Sequence, residues 1–141
     1  MLELSQISHL NYWLLFGYLK GERGMNKDIP LNERLIVAAD FDPRKCGGLS
    51  GAQDKVKKLA EDLLGLGVII KINSVLRASG YELIKHLRSA GLKVMADLKL
   101  VDIPHTLDFD AAFLLEAEPE FMTVMCNAGI DGMMALQKVL A

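Results

Sequence analysis

The chain has 141 residues, of which 51% are hydrophobic and 24% charged, with a formal net charge of −2. So apolar a composition excludes an intrinsically disordered chain, and so small a charge excludes the basic face of a nucleic-acid binder or an acidic solvating tail. The length is that of one domain with one core.

Near the start, Leu10 to Leu19 (LNYWLLFGYL) is an apolar run of ten residues, whereas a membrane-spanning helix needs about 20. The residues before it carry Glu3 and no Lys or Arg, so it lacks the charge of a secretory signal. Neither a membrane nor an export signal is expected. The run is expected to form a short amphipathic helix packed on the domain, or an extension without fixed structure. Lys20-Gly21-Glu22-Arg23-Gly24, just before Met25, can be encoded by purine-rich codons, as an in-frame ribosome-binding site would be. Met25 is therefore a candidate start, with residues 1–24 an extension and 25–141 the domain.

From Leu35 a strand–helix pattern repeats. Leu35–Ala39 is an apolar run ending in Asp40, Val68–Ile70 ends in Lys71, Leu92–Ala96 ends in Asp97-Leu98-Lys99, and Phe121–Cys126 ends at Asn127. Short unbroken apolar runs fit strands buried on both faces of a parallel sheet. Between them, Ala52, Val56, Leu59, Ala60 and Leu63 follow the helical period, with Ser50 and Gln53 as a capping box and Gly65 and Gly67 as breakers. Leu83, Ile84 and Leu87 mark a second helix, with Ser79 and Glu82 as its box and Gly91 as its stop. Leu107, Ala111, Leu114 and Leu115 mark a third before Pro119, and Met133, Met134, Leu136, Val139 and Leu140 a fourth. The glycine-rich stretch Cys46–Gly51 lacks the P-loop lysine and the dinucleotide spacing, and reads as a plain strand-to-helix loop. Cys46 and Cys126, eighty residues apart, form neither a zinc spacing nor a disulfide framework, and two free thiols fit a reducing cytoplasm.

Strands alternating with helices predict an α/β fold with right-handed crossovers. Two architectures remain open: a doubly wound sheet, or a (β/α)8 barrel of which these four units form half, since a whole barrel takes about 250 residues. In either, ligands bind at the C-terminal ends of the strands, where Asp40, Lys71, Asp97 and Lys99 stand. Asp97 and Lys99 are two apart, so on a strand they share one face; Asp102 follows in the loop. An opposite pair at 4 Å is worth about 4 kcal/mol at an effective dielectric near 20, before desolvation is subtracted. Such a set can hold Lys99 protonated and aimed, which suits protonation of a carbanion. A purely structural pair would favour arginine.

The stretch Ala96-Asp97-Leu98-Lys99-Leu100-Val101-Asp102-Ile103-Pro104-His105-Thr106 resembles the signature of the orotidine 5′-phosphate decarboxylase family, Asp-x-Lys-x-x-Asp-Ile-Pro-x-Thr. Asp40 and Lys71 (in Ile70-Lys71-Ile72-Asn73) fit the family's order, and the resemblance runs from about Leu35 to Leu140. It implies a (β/α)8 barrel that forms a homodimer with active sites at the interface. It also implies a cofactor-free and metal-free conversion of orotidine 5′-monophosphate to UMP and carbon dioxide, in pyrimidine synthesis. Lys99 would protonate C6 of the pyrimidine, and Asp97 would stand against the substrate carboxylate. Asp40 and Lys71 would hold ribose hydroxyls. Asp102, Ile103 and Thr106 would reach the partner's site, with Asp102 completing a Lys71/Asp97/Lys99/Asp102 network.

Departures from the family's pattern are a longer loop after Asp40, His105 where asparagine is common, and Thr123-Val124-Met125-Cys126 where a histidine is often carried. Thr123 and Asn127 can line the pocket, but the site is not built on them. The family's pyrimidine-contacting serine and phosphate-gripping Gln and Arg come from later strands. The chain alone is therefore expected to be weakly active or inactive, a partial product of a decarboxylase gene. Three rivals stand beside this reading. One is a metal-dependent aldolase like 3-hexulose-6-phosphate synthase, disfavoured by the Ile103-Pro104-x-Thr106 tail. Another is a receiver-like phosphoacceptor with Asp40, Asp42 and Asp97 as an acidic pocket, and a third is a barrel half kept as a dimerisation partner.

Overall fold

A computed structural model of the protein describes residues 13–17 and 30–140. The five strands are β1 (Trp13–Gly17), β2 (Ile36–Ala38), β3 (Ile69–Ile72), β4 (Lys93–Leu100) and β5 (Phe121–Met125). The five helices are α1 (Gly48–Leu63), α2 (Ser74–Ser79), α3 (Glu82–Ser89), α4 (Pro104–Leu115) and α5 (Gly129–Leu140). The sheet runs β1-β5-β4-β3-β2. From β2 to β5 all pairings are parallel, and β1 adds to β5 antiparallel. Spatial order follows chain order from β2 to β5 without reversal. That excludes the doubly wound alternative, whose order must reverse at a switch point. The four units are successive βα units of a (β/α)8-type barrel.

Register divides the sheet into two faces. Lys71 pairs with Met95, and Met95 with Phe121; two residues further on, Asp97 and Thr123 share that face. Ile70, Ile72, Val94, Ala96, Leu98, Met122 and Val124 point the other way, into one core with Ala52, Val56, Ala60, Leu83, Ile84, Leu87, Leu107, Ala111, Leu114 and Leu136 of the helices. The helix-facing side is thus uniformly apolar, and the polar groups of the strands gather on the opposite face.

Helix ends depart from the expected capping boxes. α1 starts earlier, behind Gly47, with no side-chain cap; Gln53 instead donates to Ser79 Oγ at 2.9 Å, tying α1 to α2. The six-residue α2 was not legible, being too short to show a period; it places Ser79 at a helix end rather than at an N-cap. Gly91 does stop α3. At φ 90° it lets its own N–H reach Arg88 O (2.9 Å) and Leu92 N–H reach Leu87 O (3.2 Å), the paired bonds of a Schellman ending.

The apolar run near the start contains a strand, where a short helix or an extension without fixed structure was expected: Trp13–Gly17 lies along β5. The outer side of β5 presents backbone N–H and C=O groups that a strand can pair and a helix cannot. The reading of Lys20–Gly24 and Met25 lies outside the described residues. Among the described residues, no helix is long and apolar enough to cross a membrane.

The glycine-rich stretch has a packing explanation. A Cβ on Gly51 would stand 1.6 Å from the backbone oxygen of Cys46, so the loop folds against α1 only because this position lacks a side chain. Gly51→Ala should therefore lower the melting temperature by several degrees or more, measured by circular dichroism, despite alanine's better helix propensity. Leu114, fully buried on α4, should cost about 2–5 kcal/mol on truncation to alanine, read by urea denaturation.

Candidate active site

At one end of the polar face, four elements deliver a compact cluster. Asp40 follows β2, Lys71 comes from β3, Asp97 and Lys99 from β4, and Thr123 from β5. Lys99 Nζ donates to Asp97 Oδ2 at 2.7 Å, and Lys71 Nζ approaches the same oxygen at 3.4 Å. Lys71 Nζ also donates to Asp40 Oδ2 at 2.7 Å. The second oxygen of Asp97, Oδ1, accepts from the Thr123 hydroxyl at 2.9 Å. Asp97 is 6% exposed and Thr123 2%; the two lysines are partly open to solvent.

The electrostatics follow from this geometry. Burial by itself would push the Asp97 carboxyl up. Hydrogen bonds from Lys99 and Thr123 and the charges of Lys99 and Lys71 outweigh it, holding the carboxyl below the ordinary carboxylate range. For Lys71, burial would push the ammonium down, but the hydrogen bond and charge of Asp40, with the charge of Asp97, raise it instead. Asp97 is therefore held as a carboxylate and Lys71 as an ammonium across the physiological range.

β4 does not carry Asp97 and Lys99 as a regular strand would. Between Ala96 and Leu100 its ladder with β5 slips, a β-bulge, and Lys99 takes φ 54°. A non-glycine residue in that left-handed region typically costs about 1–3 kcal/mol and persists only where its surroundings enforce it. Lys99 N–H donates to Thr123 Oγ1 at 2.8 Å. Bulges of this kind occur beside active sites, where they re-aim a side chain.

Of the residues expected at the site, Asp40, Lys71, Asp97 and Lys99 meet. Asp102 does not join them within the chain: it is exposed, and its Oδ1 accepts from Ile103 N–H at 2.7 Å. Ile103 is 64% exposed and Thr106 half-buried. The ring of His105 meets that of Phe109 one turn on at a tilt of 57°, with ring centres 4.3 Å apart. The acidic pocket of a receiver-like site does not form. Asp42 is bound to Arg44 at 2.9 Å, and Asp40 and Asp97 are bridged by Lys71. No group of three or more His, Cys, Asp or Glu among the described residues is gathered to hold a metal ion. Thr123 has a larger part than expected. A lone hydroxyl in the otherwise apolar strand Phe121–Met125 was the available signal, since buried polar groups seek partners.

Comparison with known proteins agrees with this architecture. The model of the "Orotidine 5′-phosphate decarboxylase / HUMPS family" matches residues 33–141. Among curated relatives, the orotidine 5′-phosphate decarboxylase of Pyrococcus abyssi is 34% identical over 89 residues, 62% of this chain and 43% of that protein. Among solved structures, the decarboxylase of Pyrococcus horikoshii OT3 superposes with a TM-score of 0.56 at 28% identity, covering 74% of this chain and 47% of that one. The decarboxylase of Lactobacillus acidophilus superposes with a TM-score of 0.60, also at 28% identity, covering 74% of this chain and 44% of that one. The chain thus spans less than half the length of these relatives. With a family match over residues 33–141 and the parallel βα units to go with it, the chain belongs to the orotidine 5′-phosphate decarboxylase / HUMPS family.

Proposed function

We propose that the chain carries the charge-network part of an active site that decarboxylates orotidine 5′-monophosphate to UMP, without cofactor or metal, in a cytoplasmic enzyme. The observation that carries this reading is the ammonium of Lys99 held 2.7 Å from the buried carboxylate of Asp97, at the C-terminal ends of parallel strands. Relatives named for this activity support it.

In the reaction, the bond from C6 to the substrate carboxylate breaks and its electron pair stays on C6. Carbon dioxide leaves, and Lys99 gives its proton to C6, regaining one from water. A fixed ammonium lowers the energy of the charge that develops there. Asp97 stands against the substrate carboxylate, a contact less unfavourable once neutral carbon dioxide departs; its share of the rate depends on how far such ground-state effects reach. Asp40 and Lys71 take ribose hydroxyls. Asp102, Ile103 and Thr106 serve the site of a second subunit in a homodimer, where Asp102 joins the network. By itself the chain turns substrate over slowly or not at all, because binding energy at the remote phosphate drives much of such catalysis.

The test is to incubate the chain, and any longer form its gene encodes, with orotidine 5′-monophosphate and follow the loss of orotate absorbance. Turnover in the longest form is expected, and its absence would refute the proposal. Lys99→Ala should abolish that turnover; an undiminished rate would remove Lys99 as proton donor.

The network also predicts a pH profile for stability. Asp97 is lowered from 3.8, so its contribution is present above that value and lost as pH falls through the lowered one. Lys71 is raised from 10.5, so its contribution is present below that value and lost as pH rises through the raised one. Asp97→Asn should therefore be less stable than the parent by a constant margin from about pH 5 to 9, in urea denaturation, and the margin should close in strong acid. A margin unchanged at about pH 2 would contradict the assignment.

A further inference from the structure

Two side chains outside the charge network hold the irregular part of β4. Along this stretch Ala96 pairs with Met122 and Leu100 with Val124, so four steps on β4 answer two on β5. Such a slip takes backbone groups out of the ladder, and each needs another partner. Lys99 N–H finds the Thr123 hydroxyl. Leu98 C=O accepts from the guanidinium of Arg77, on α2. One clamp comes from the neighbouring strand and the other from the helix layer.

The Thr123 hydroxyl has a double task. It accepts from Lys99 N–H and donates to Asp97 Oδ1, so its one proton and a lone pair are both engaged. One atom thereby fixes both ends of the Asp97-Leu98-Lys99 segment. The segment needs such a hold, because Lys99 sits at φ 54°, where a lysine does not stay unaided.

We propose that Thr123 and Arg77 are positioning residues, which clamp the β4 bulge in its left-handed turn and so fix the direction from which the Lys99 ammonium meets Asp97. Thr123 acts through Asp97 and Lys99, and Arg77 through the backbone of Leu98 between them. The catalytic meaning rests on Lys99 as proton donor, whereas the clamp itself is a property of the chain as it stands.

The test separates the two. Thr123→Val keeps shape and strand preference and removes only the hydroxyl. In isotope-labelled protein followed by NMR, the Asp97 carboxyl midpoint should rise by about one pH unit, and Lys99 amide exchange should quicken about tenfold or more. The Val94 amide, in the regular part of β4, should change less than about twofold. Thr123→Ser should restore both signals, and Thr123→Cys, with its weaker hydrogen bonds, should fall between. Arg77→Met, at an exposed position, should quicken Lys99 exchange while leaving the Asp97 midpoint in place. A Thr123→Val protein with an unmoved Asp97 midpoint and a still-protected Lys99 amide would overturn the proposal, even if its melting temperature fell. Unchanged Lys99 exchange in Arg77→Met would remove Arg77 from it. In a form that turns over orotidine 5′-monophosphate, Thr123→Val should lower kcat with KM nearly unchanged, and Thr123→Ser should recover it. Absence of turnover in every form counts against the proposed reaction alone, since the NMR signals judge the clamp independently.

Discussion

A buried carboxylate needs partners for both of its oxygens, and Asp97 has them. One oxygen takes the ammonium of Lys99 with that of Lys71 close behind, and the other takes the hydroxyl of Thr123. Taking a carboxylate out of water is expensive unless charge and hydrogen bonds replace the solvent. Here they do so well enough to hold the group ionised despite its burial. Three strands must therefore keep their register for the group to be satisfied, and the polar end of the sheet is organised around it.

The sheet can meet that demand because its two faces have separate tasks. The helix-facing side is built of Ile, Leu, Val, Met and Ala packed on α1, α3, α4 and α5 and holds the strands in place. The other side bears the charge network of Asp40, Lys71, Asp97 and Lys99, at the C-terminal strand ends. Where rigid packing and chemistry meet, in β4, regularity gives way: the strand bulges and Lys99 turns left-handed. Local strain at such a place is a common price of aiming a reactive group.

Much of this was legible beforehand. Apolar runs ending in Asp40, Lys71 and Asp97-Leu98-Lys99 marked the strands, and spacing by two marked a shared face for Asp97 and Lys99. Less legible were features that depend on neighbours distant in sequence. Gln53 prefers Ser79 on another helix to a local cap. Trp13–Gly17 becomes a strand because β5 offers it an edge. Arg77 could not be singled out, since the carbonyl it serves is left over by a bulge that no local pattern announces.

The amino-acid order by itself determined the alternation of strand and helix, the apolar core positions and the identity of the charged groups, because these follow from periodicity and side-chain chemistry along the chain. Only the tertiary structure decided that the strands lie in sequential order, that β4 slips against β5, and that Thr123 joins Asp97 to Lys99. Those outcomes depend on which backbone groups find partners across the sheet, and pairing between strands more than twenty residues apart is settled by packing, not by local preference.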